Sequence, residues 1–189
     1  MLTVGHGRLD AGDLGALLVG AGVAQVVDVR RFPGSRANPG AARGAVAQLA
    51  GEVGIAYRWD ERLGGRRSLT AAQREASPDT WWRVEAFRAY AAWTRSPQFR
   101  AALPELVGDA LARETTILCS EAVWWRCHRR LISDVDVLEC ALPVWHLMPD
   151  GRLVEHVVSA GARVGEDGLV VWDGADTRAG EATDEGSGT

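Results

Sequence analysis

The sequence predicts a single three-layer α/β domain with a mostly parallel sheet, flanking helices and a C-terminal β-hairpin. Three observations carry that prediction. Short, β-branched apolar runs at residues 2–5, 24–29 and 115–119 read as strands buried on both faces. Segments with apolar residues at helical spacing alternate with them. At 189 residues the chain can bury about two-thirds of its unfolded surface in one core and is short for two domains.

Taken in order, Leu2-Thr3-Val4-Gly5 is a strand that stops at a glycine and presents His6 at its end. Asp10 caps a helix whose Leu14, Leu17 and Leu18 share a face, and Gly20 and Gly22 end it. The strand at 24–29 completes a βαβ unit, whose crossover is expected to be right-handed. Pro and Gly make 30–40 a loop. A helix through Val46 and Leu49, the short strand Ile55-Ala56-Tyr57 and a loop over 59–68 follow. Residues 80–93 offer a helix face of Trp81, Val84, Phe87, Tyr90 and Trp93. The next helix, 97–112, turns Phe99, Leu103, Leu106 and Leu111 inward, with a break or kink expected at Pro104. After the strand at 115–119, a loop over 120–126 leads to a helix starting near Cys127, with Leu131, Ile132, Val135 and Leu138 toward the sheet. Residues 143–148 form a strand, Pro149-Asp150-Gly151 a turn, and 153–157 the returning strand. Glu166-Asp167-Gly168 turns into a last strand at 169–172. The domain therefore covers 1–172. Residues 173–189 lack hydrophobes beyond alanine and are expected to be a disordered acidic tail.

Composition limits the chemistry. All 21 basic residues are arginine, so Schiff-base lysines and a P-loop lysine are excluded. The formal charge of -4 hides an asymmetry. Residues 30–130 hold 17 Arg against 10 acids, and residues 133–189 hold 3 Arg against 12. A basic body suits an anionic ligand, and a mixed solvated surface is the bland alternative. No apolar run approaches the roughly 20 residues that span a bilayer. The first residues lack a signal peptide's basic start and apolar stretch, so the cytoplasm is the expected compartment and no membrane partner is expected. Three cysteines, at 119, 127 and 140, show no disulfide spacing. In a reducing compartment they read as packing residues, ligands or reactive thiols.

Ligands of parallel sheets bind outside the carboxyl ends of the strands. His6, Arg30 and Cys119 each follow a predicted strand, so they should converge on one edge. Cys119 there is a candidate nucleophile, its thiolate favoured by the next helix N-terminus and by neighbouring Arg and His; a packing role is the alternative. Glu121, the sole acid in a basic stretch, suits acid/base work or a structural salt bridge. His6 and His128 complete the candidate catalytic set. Arg30, Arg36, Arg66 and Arg129 offer forks for phosphate or carboxylate, with Ser35 and Asn38 adding polar reach. Gly64 and Gly65 allow backbone N–H groups close to such an anion. Trp124 could stack on a base, or pack. Asp28, inside a strand beside Arg30, and Cys127 are expected as structural support. His146 and His156 are expected in solvent or packing roles. No cofactor and no metal is expected: Cys127 and His128 are adjacent, which on a helix points them apart, and the usual Cys-x-x-Cys spacing is missing.

These motifs resemble the family called domain of unknown function 488. The resemblance rests on Thr3-Val4-Gly5-His6, Val27-Asp28-Val29-Arg30 with Pro33 and Ser35, Leu63-Gly64-Gly65, Leu118-Cys119-Ser120-Glu121 and Cys127-His128-Arg129. Val144-Trp145-His146 and the stretch from Gly151 to Glu155-His156 also fit, so about residues 2–157 are covered in order. Two departures stand out. Gly7 replaces a usual Ser or Thr, and Val123-Trp124-Trp125 replaces a more polar stretch. The family name implies no activity. A fainter similarity is to rhodanese-like domains, in Val-Val-Asp-Val-Arg and a strand-end Cys before a helix, although the loop from Cys119 to Arg126 is longer than theirs.

Three functions fit these residues. The first is an enzyme acting on a nucleotide, nucleic acid or other phosphorylated substrate, a hydrolase of a glycosidic bond being the concrete form. The second is sulfur transfer or redox chemistry at Cys119, with Cys127 resolving. The third is a non-catalytic nucleic-acid-binding module with steep salt dependence.

Overall fold

A computed structural model describes residues 1–34 and 39–175 of the chain. The first strand, β1 (Leu2–Gly5), is followed by α1 (Ala11–Gly20), β2 (Gln25–Asp28), α2 (Arg43–Glu52) and β3 (Ala56–Trp59). Then come α3 (Ala71–Glu75), α4 (Glu85–Thr94), α5 (Pro97–Ala112), β4 (Thr115–Cys119), α6 (Arg129–Cys140), β5 (Trp145–Leu147) and β6 (Leu153–Glu155). The strands β7 (Ala162–Val164) and β8 (Val170–Trp172) form the separate C-terminal hairpin. The main sheet runs β3-β2-β4-β1-β5-β6; its first five strands are parallel, and β6 returns antiparallel to β5.

Alternation of side chains along the strands splits the core into two layers. Val26, Leu118, Leu2 and Val4 face Leu14, Leu18, Val46 and Leu49 of α1 and α2. Val27 and Ile117 face Tyr90, Phe99, Leu106, Leu131 and Val135 of α4, α5 and α6. Right-handed crossovers explain this sorting. The chain leaves β1 for β2 and β2 for β3 in one direction, over one face. It leaves β4 for β5 in the other direction, over the opposite face. Adjacent strands β1 and β4 therefore feed connections that diverge, which opens a crevice at their carboxyl ends.

Local signals behave as their chemistry dictates at several points. Asp10 accepts from the Asp13 amide at 2.8 Å, the N-cap the sequence predicts. Five details differ from expectation. Residues 80–84 are not helical, because the Trp81 amide bonds to the Trp172 carbonyl at 3.0 Å and so belongs to the hairpin. The helix α5 runs through Pro104, whose ring sits on the exposed side while Phe99, Leu103 and Leu106 anchor both halves. Leu111 is 75% exposed, because five residues carry it about 140° round the helix from Leu106. The third strand is Ala56–Trp59, and α6 begins at Arg129. The region expected to be a disordered tail lies, from residue 176 on, outside the described residues. Asp173 itself is paired with Arg163 at 2.6 Å.

The carboxyl oxygens of Asp136 on α6 are buried, with no hydrogen-bond partner among the described residues. Burial pushes the carboxyl up to about 8, above its unfolded value of 3.8. The unfolded chain therefore releases this proton near pH 4 while the fold holds it. The resulting stability is fully present below pH 4 and is lost as pH rises toward 8. Between pH 5 and 7 the wild type should lose about 1.4 kcal/mol per pH unit more than Asp136→Asn, measured by urea unfolding. Equal slopes would remove this account of Asp136.

Candidate active site

The carboxyl edge of the sheet is held in register by backbone bonds. The His6 amide bonds to the Cys119 carbonyl at 3.0 Å, Gly7 to Ser120 at 3.0 Å, and Val29 to Leu118 at 3.0 Å. The ends of β1, β2 and β4 are thus level, and His6, Arg30 and Cys119 line one cleft of about 840 Å³. Glycines permit the close approaches. A Cβ on Gly5 would sit 1.9 Å from the Glu121 carbonyl oxygen, so the loop after β4 crosses over the end of β1 only because this residue is glycine. A Cβ on Gly65 would sit 2.8 Å from His128 Nδ1, and one on Gly64 would sit 2.7 Å from the Arg31 amide. These two glycines therefore let the Leu63-Gly64-Gly65 loop pack on the site. Tyr90 donates its hydroxyl to the Leu63 carbonyl at 2.5 Å, and Arg67 bonds to the Gly64 and Glu61 carbonyls. Arg66, next along, holds a left-handed φ of 57° at the mouth of the cleft, a costly conformation for a side chain of its size.

Three groups form the floor. Cys119 Sγ lies 3.8 Å and Cys127 Sγ 3.6 Å from His128 Nδ1. The adjacent Cys127 and His128 point together, contrary to the expectation drawn from helical geometry. Cys127 is extended (φ -119°, ψ 150°), and His128 is the cap that starts α6, so the pair sits in a turn before the helix. The second ring nitrogen of His128 faces the Val29 carbonyl at 3.3 Å. A carbonyl only accepts, so Nε2 carries the hydrogen and Nδ1 turns a lone pair to the two sulfurs. Arg129 Nε donates to Cys127 Sγ at 3.4 Å. Burial opposes ionisation of Cys127, but the hydrogen bond from Cys119 and the nearby Arg129 charge outweigh it and hold this thiol well below its usual value. The same hydrogen bond, and then burial, push Cys119 up. If either sulfur ionises first it is Cys127, whereas the sequence favours Cys119.

Two arginines expected as free forks spend their donors inside the protein. Arg30 gives Nε and its amide to Asp28 Oδ1 at 2.8 and 3.1 Å, NH2 to Asp28 Oδ2, and NH1 to the Ala41 carbonyl. Tyr57 adds its hydroxyl to Asp28 at 2.9 Å, so Asp28 is the support expected of it. Arg129 gives Nε to Cys127, NH1 to Thr3 Oγ1 at 3.2 Å and NH2 to the Glu121 carbonyl. A guanidinium this deeply buried must be paired in this way. His6 is buried too, and its Nε2 lies 3.4 Å from Arg30 NH1. Burial, then the Arg30 charge, lower its pKa and keep it neutral.

Besides Arg30, the arginines that line the cleft are Arg8, Arg31, Arg66 and Arg126, of which the sequence proposes Arg66. None of the four forms an ion pair among the described residues. Glu121 is exposed on the same cleft, and its carboxylate accepts from the Val123 amide at 3.3 Å. Phe32, 58% exposed, and Phe87 supply apolar wall. Ser35, Arg36 and Asn38 lie outside the described residues.

Trp124 is not part of the cleft lining. Its ring stacks on His146, with centroids 3.9 Å apart and planes 10° apart. His146 and His156, rather than facing solvent, belong to a buried chain of hydrogen bonds. Arg129 NH1 donates to Thr3 Oγ1, which faces His146 Nδ1 at 2.8 Å. His146 Nε2 faces His156 Nδ1 at 3.0 Å, and His156 Nε2 donates to Asp134 at 2.8 Å. One ordering satisfies every member, each donating toward Asp134. Burial above all, with the Arg129 charge, lowers His146 to about 3 and keeps it neutral. This chain fixes Arg129, which fixes Cys127 and the Glu121 loop. Periodicity carries no signal for it; only the excess of polar residues at otherwise apolar strand and helix positions (Thr3, Asp134, His146) hints at it.

A doubly wound α/β domain with a thiol- and imidazole-floored, arginine-rimmed cleft at its topological switch point is the class that fold and site define. The chain belongs to the family described as domain of unknown function 488, whose family model matches residues 12–135. No curated protein and no solved structure matches it.

Proposed function

We propose that the protein is a hydrolase acting on a phosphorylated, nucleotide-like substrate bound in this cleft, a glycosidic bond being the first to assay. One observation carries the reading: four arginines without ion pairs among the described residues share a cleft with two exposed carboxylates, Glu121 and Asp13, of which Glu121 lies in the loop after β4. Arg8, Arg31, Arg66 and Arg126 hold the phosphate by charge-assisted bonds. Phe32, with the Arg31 guanidinium 5.1 Å from its ring centroid, offers a flat apolar surface to a base, a role the sequence gives to Trp124. Glu121 takes the proton of the attacking water. The compartment we infer is the cytoplasm, which three free cysteines suit. No helix among the described residues is long and apolar enough to cross a membrane.

The test is turnover of nucleotides, nucleosides and short oligonucleotides by wild type and Glu121→Gln. The variant should lose about 10²- to 10⁴-fold in kcat while binding unchanged. Full turnover in the variant would reject the role, and binding without turnover in both proteins would favour a non-catalytic nucleic-acid module.

Thiol chemistry is the second reading, favoured by the 3.4 Å contact of Arg129 Nε with Cys127 Sγ and by two sulfurs within 4.8 Å of each other. With an added persulfide donor, sulfur should then be found on Cys119 or Cys127 by peptide mass spectrometry; sulfur only on Cys140 rejects it.

A further inference from the structure

The floor of the cleft has features that neither acid/base work by Glu121 nor simple packing requires. A tetrahedral zinc ion with bonds of about 2.3 Å to sulfur and about 2.0–2.1 Å to nitrogen needs ligand atoms about 3.5–3.8 Å apart. The two sulfur–nitrogen separations here are 3.8 and 3.6 Å, and all three ligand atoms lie within 4.8 Å of one another. The outer contacts are those that a metal ligand receives. His128 donates its far N–H to the Val29 carbonyl, which orients the ring and leaves Nδ1 free to bind. Arg129 Nε donates to Cys127 Sγ. Gly65 leaves the space beside His128 Nδ1 that a Cβ would fill. Two thiolates neutralise a divalent ion, so burial of the assembled site carries no net charge from these groups.

We propose that Cys119, Cys127 and His128 form a three-ligand site for a zinc-like divalent cation whose fourth position opens onto the cleft. Three protein ligands with one open position is the arrangement of catalytic rather than structural zinc. What the ion does there rests on the hydrolase reading; that it binds does not. In that reading the ion holds the attacking water, whose proton passes to Glu121. The water oxygen forms the new bond to the substrate, the electron pair of the scissile bond leaves with the departing group, and Glu121 returns the proton to it.

The test uses the full chain, purified without chelator, stripped, and titrated with zinc and then with cobalt(II). The expected result is one zinc per chain and a cobalt spectrum with a thiolate charge-transfer band and tetrahedral visible bands. Zinc should also slow maleimide labelling of Cys119 and Cys127 about tenfold or more while leaving Cys140 unchanged. Labelling needs no variant, so it reads the site even if Cys127→Ser fails to fold; Cys140→Ser should bind zinc as wild type does. Less than about a tenth of an equivalent of zinc, a cobalt spectrum without the thiolate band, or equal labelling of all three cysteines with and without zinc would overturn the proposal. One zinc per chain with no turnover in either wild type or Glu121→Gln keeps the site and removes the hydrolase reading. No zinc with Glu121-dependent turnover does the reverse.

Discussion

Asp28→Ala should destabilise the protein by about 3–5 kcal/mol, because it leaves the buried Arg30 guanidinium without its counter-ion. Asp28 is fully buried and Arg30 is 3% exposed. One carboxylate here accepts two guanidinium bonds, the Arg30 amide and the Tyr57 hydroxyl. Removing it strands four donors and one charge in the sheet edge. The double variant Asp28→Leu/Arg30→Met removes both charges and should recover part of the loss. Urea unfolding checks both expectations. A cost under about 1 kcal/mol for Asp28→Ala, within the range of an exposed pair, would mean that water reaches Arg30 and that this edge is looser than described.

The second large effect belongs to Asp134. Its carboxylate accepts from His156 Nε2 at 2.8 Å, the Ser159 amide at 2.9 Å and Trp172 Nε1 at 2.8 Å. Asp134→Ala should cost about 3–5 kcal/mol, since three buried donors lose their acceptor together. It should also act at a distance. The chain through His156, His146 and Thr3 ends on Arg129, so the Cys127 thiol should change its labelling rate in this variant even where the fold persists. A variant that unfolds with wild-type midpoint and labels at the wild-type rate would show that the chain carries no load.

Strand ends and caps were the legible part of this molecule. Short β-branched runs gave β1, β2 and β4, and the placement of polar residues just after them brought His6, Arg30 and Cys119 to one edge. Asp10 and the turn at Pro149-Asp150-Gly151 acted through local chemistry alone. The roles of Arg30 and Arg129 were not legible, because which donors a guanidinium has left depends on partners far along the chain: Thr3 bonds Arg129 across 126 positions. The same holds for His146, whose partner Thr3 is 143 positions away. The Cys127–His128 pairing was hidden for a different reason. Helical spacing does not hold for these two residues, which lie in the turn before the helix, where adjacent side chains can converge. Arg8, Arg31 and Arg126 reach the mouth only because the loops that carry them meet there, which no local pattern encodes.

The mouth of the cleft is where the whole account is most exposed. Binding of a nucleoside monophosphate to the full chain, compared with Arg66→Ala and Arg126→Ala at low and high salt, tests it directly. Each substitution should weaken affinity about tenfold at low salt, with a smaller penalty at high salt. Affinity that ignores both arginines and the salt would place the anion elsewhere and leave this cleft without a substrate.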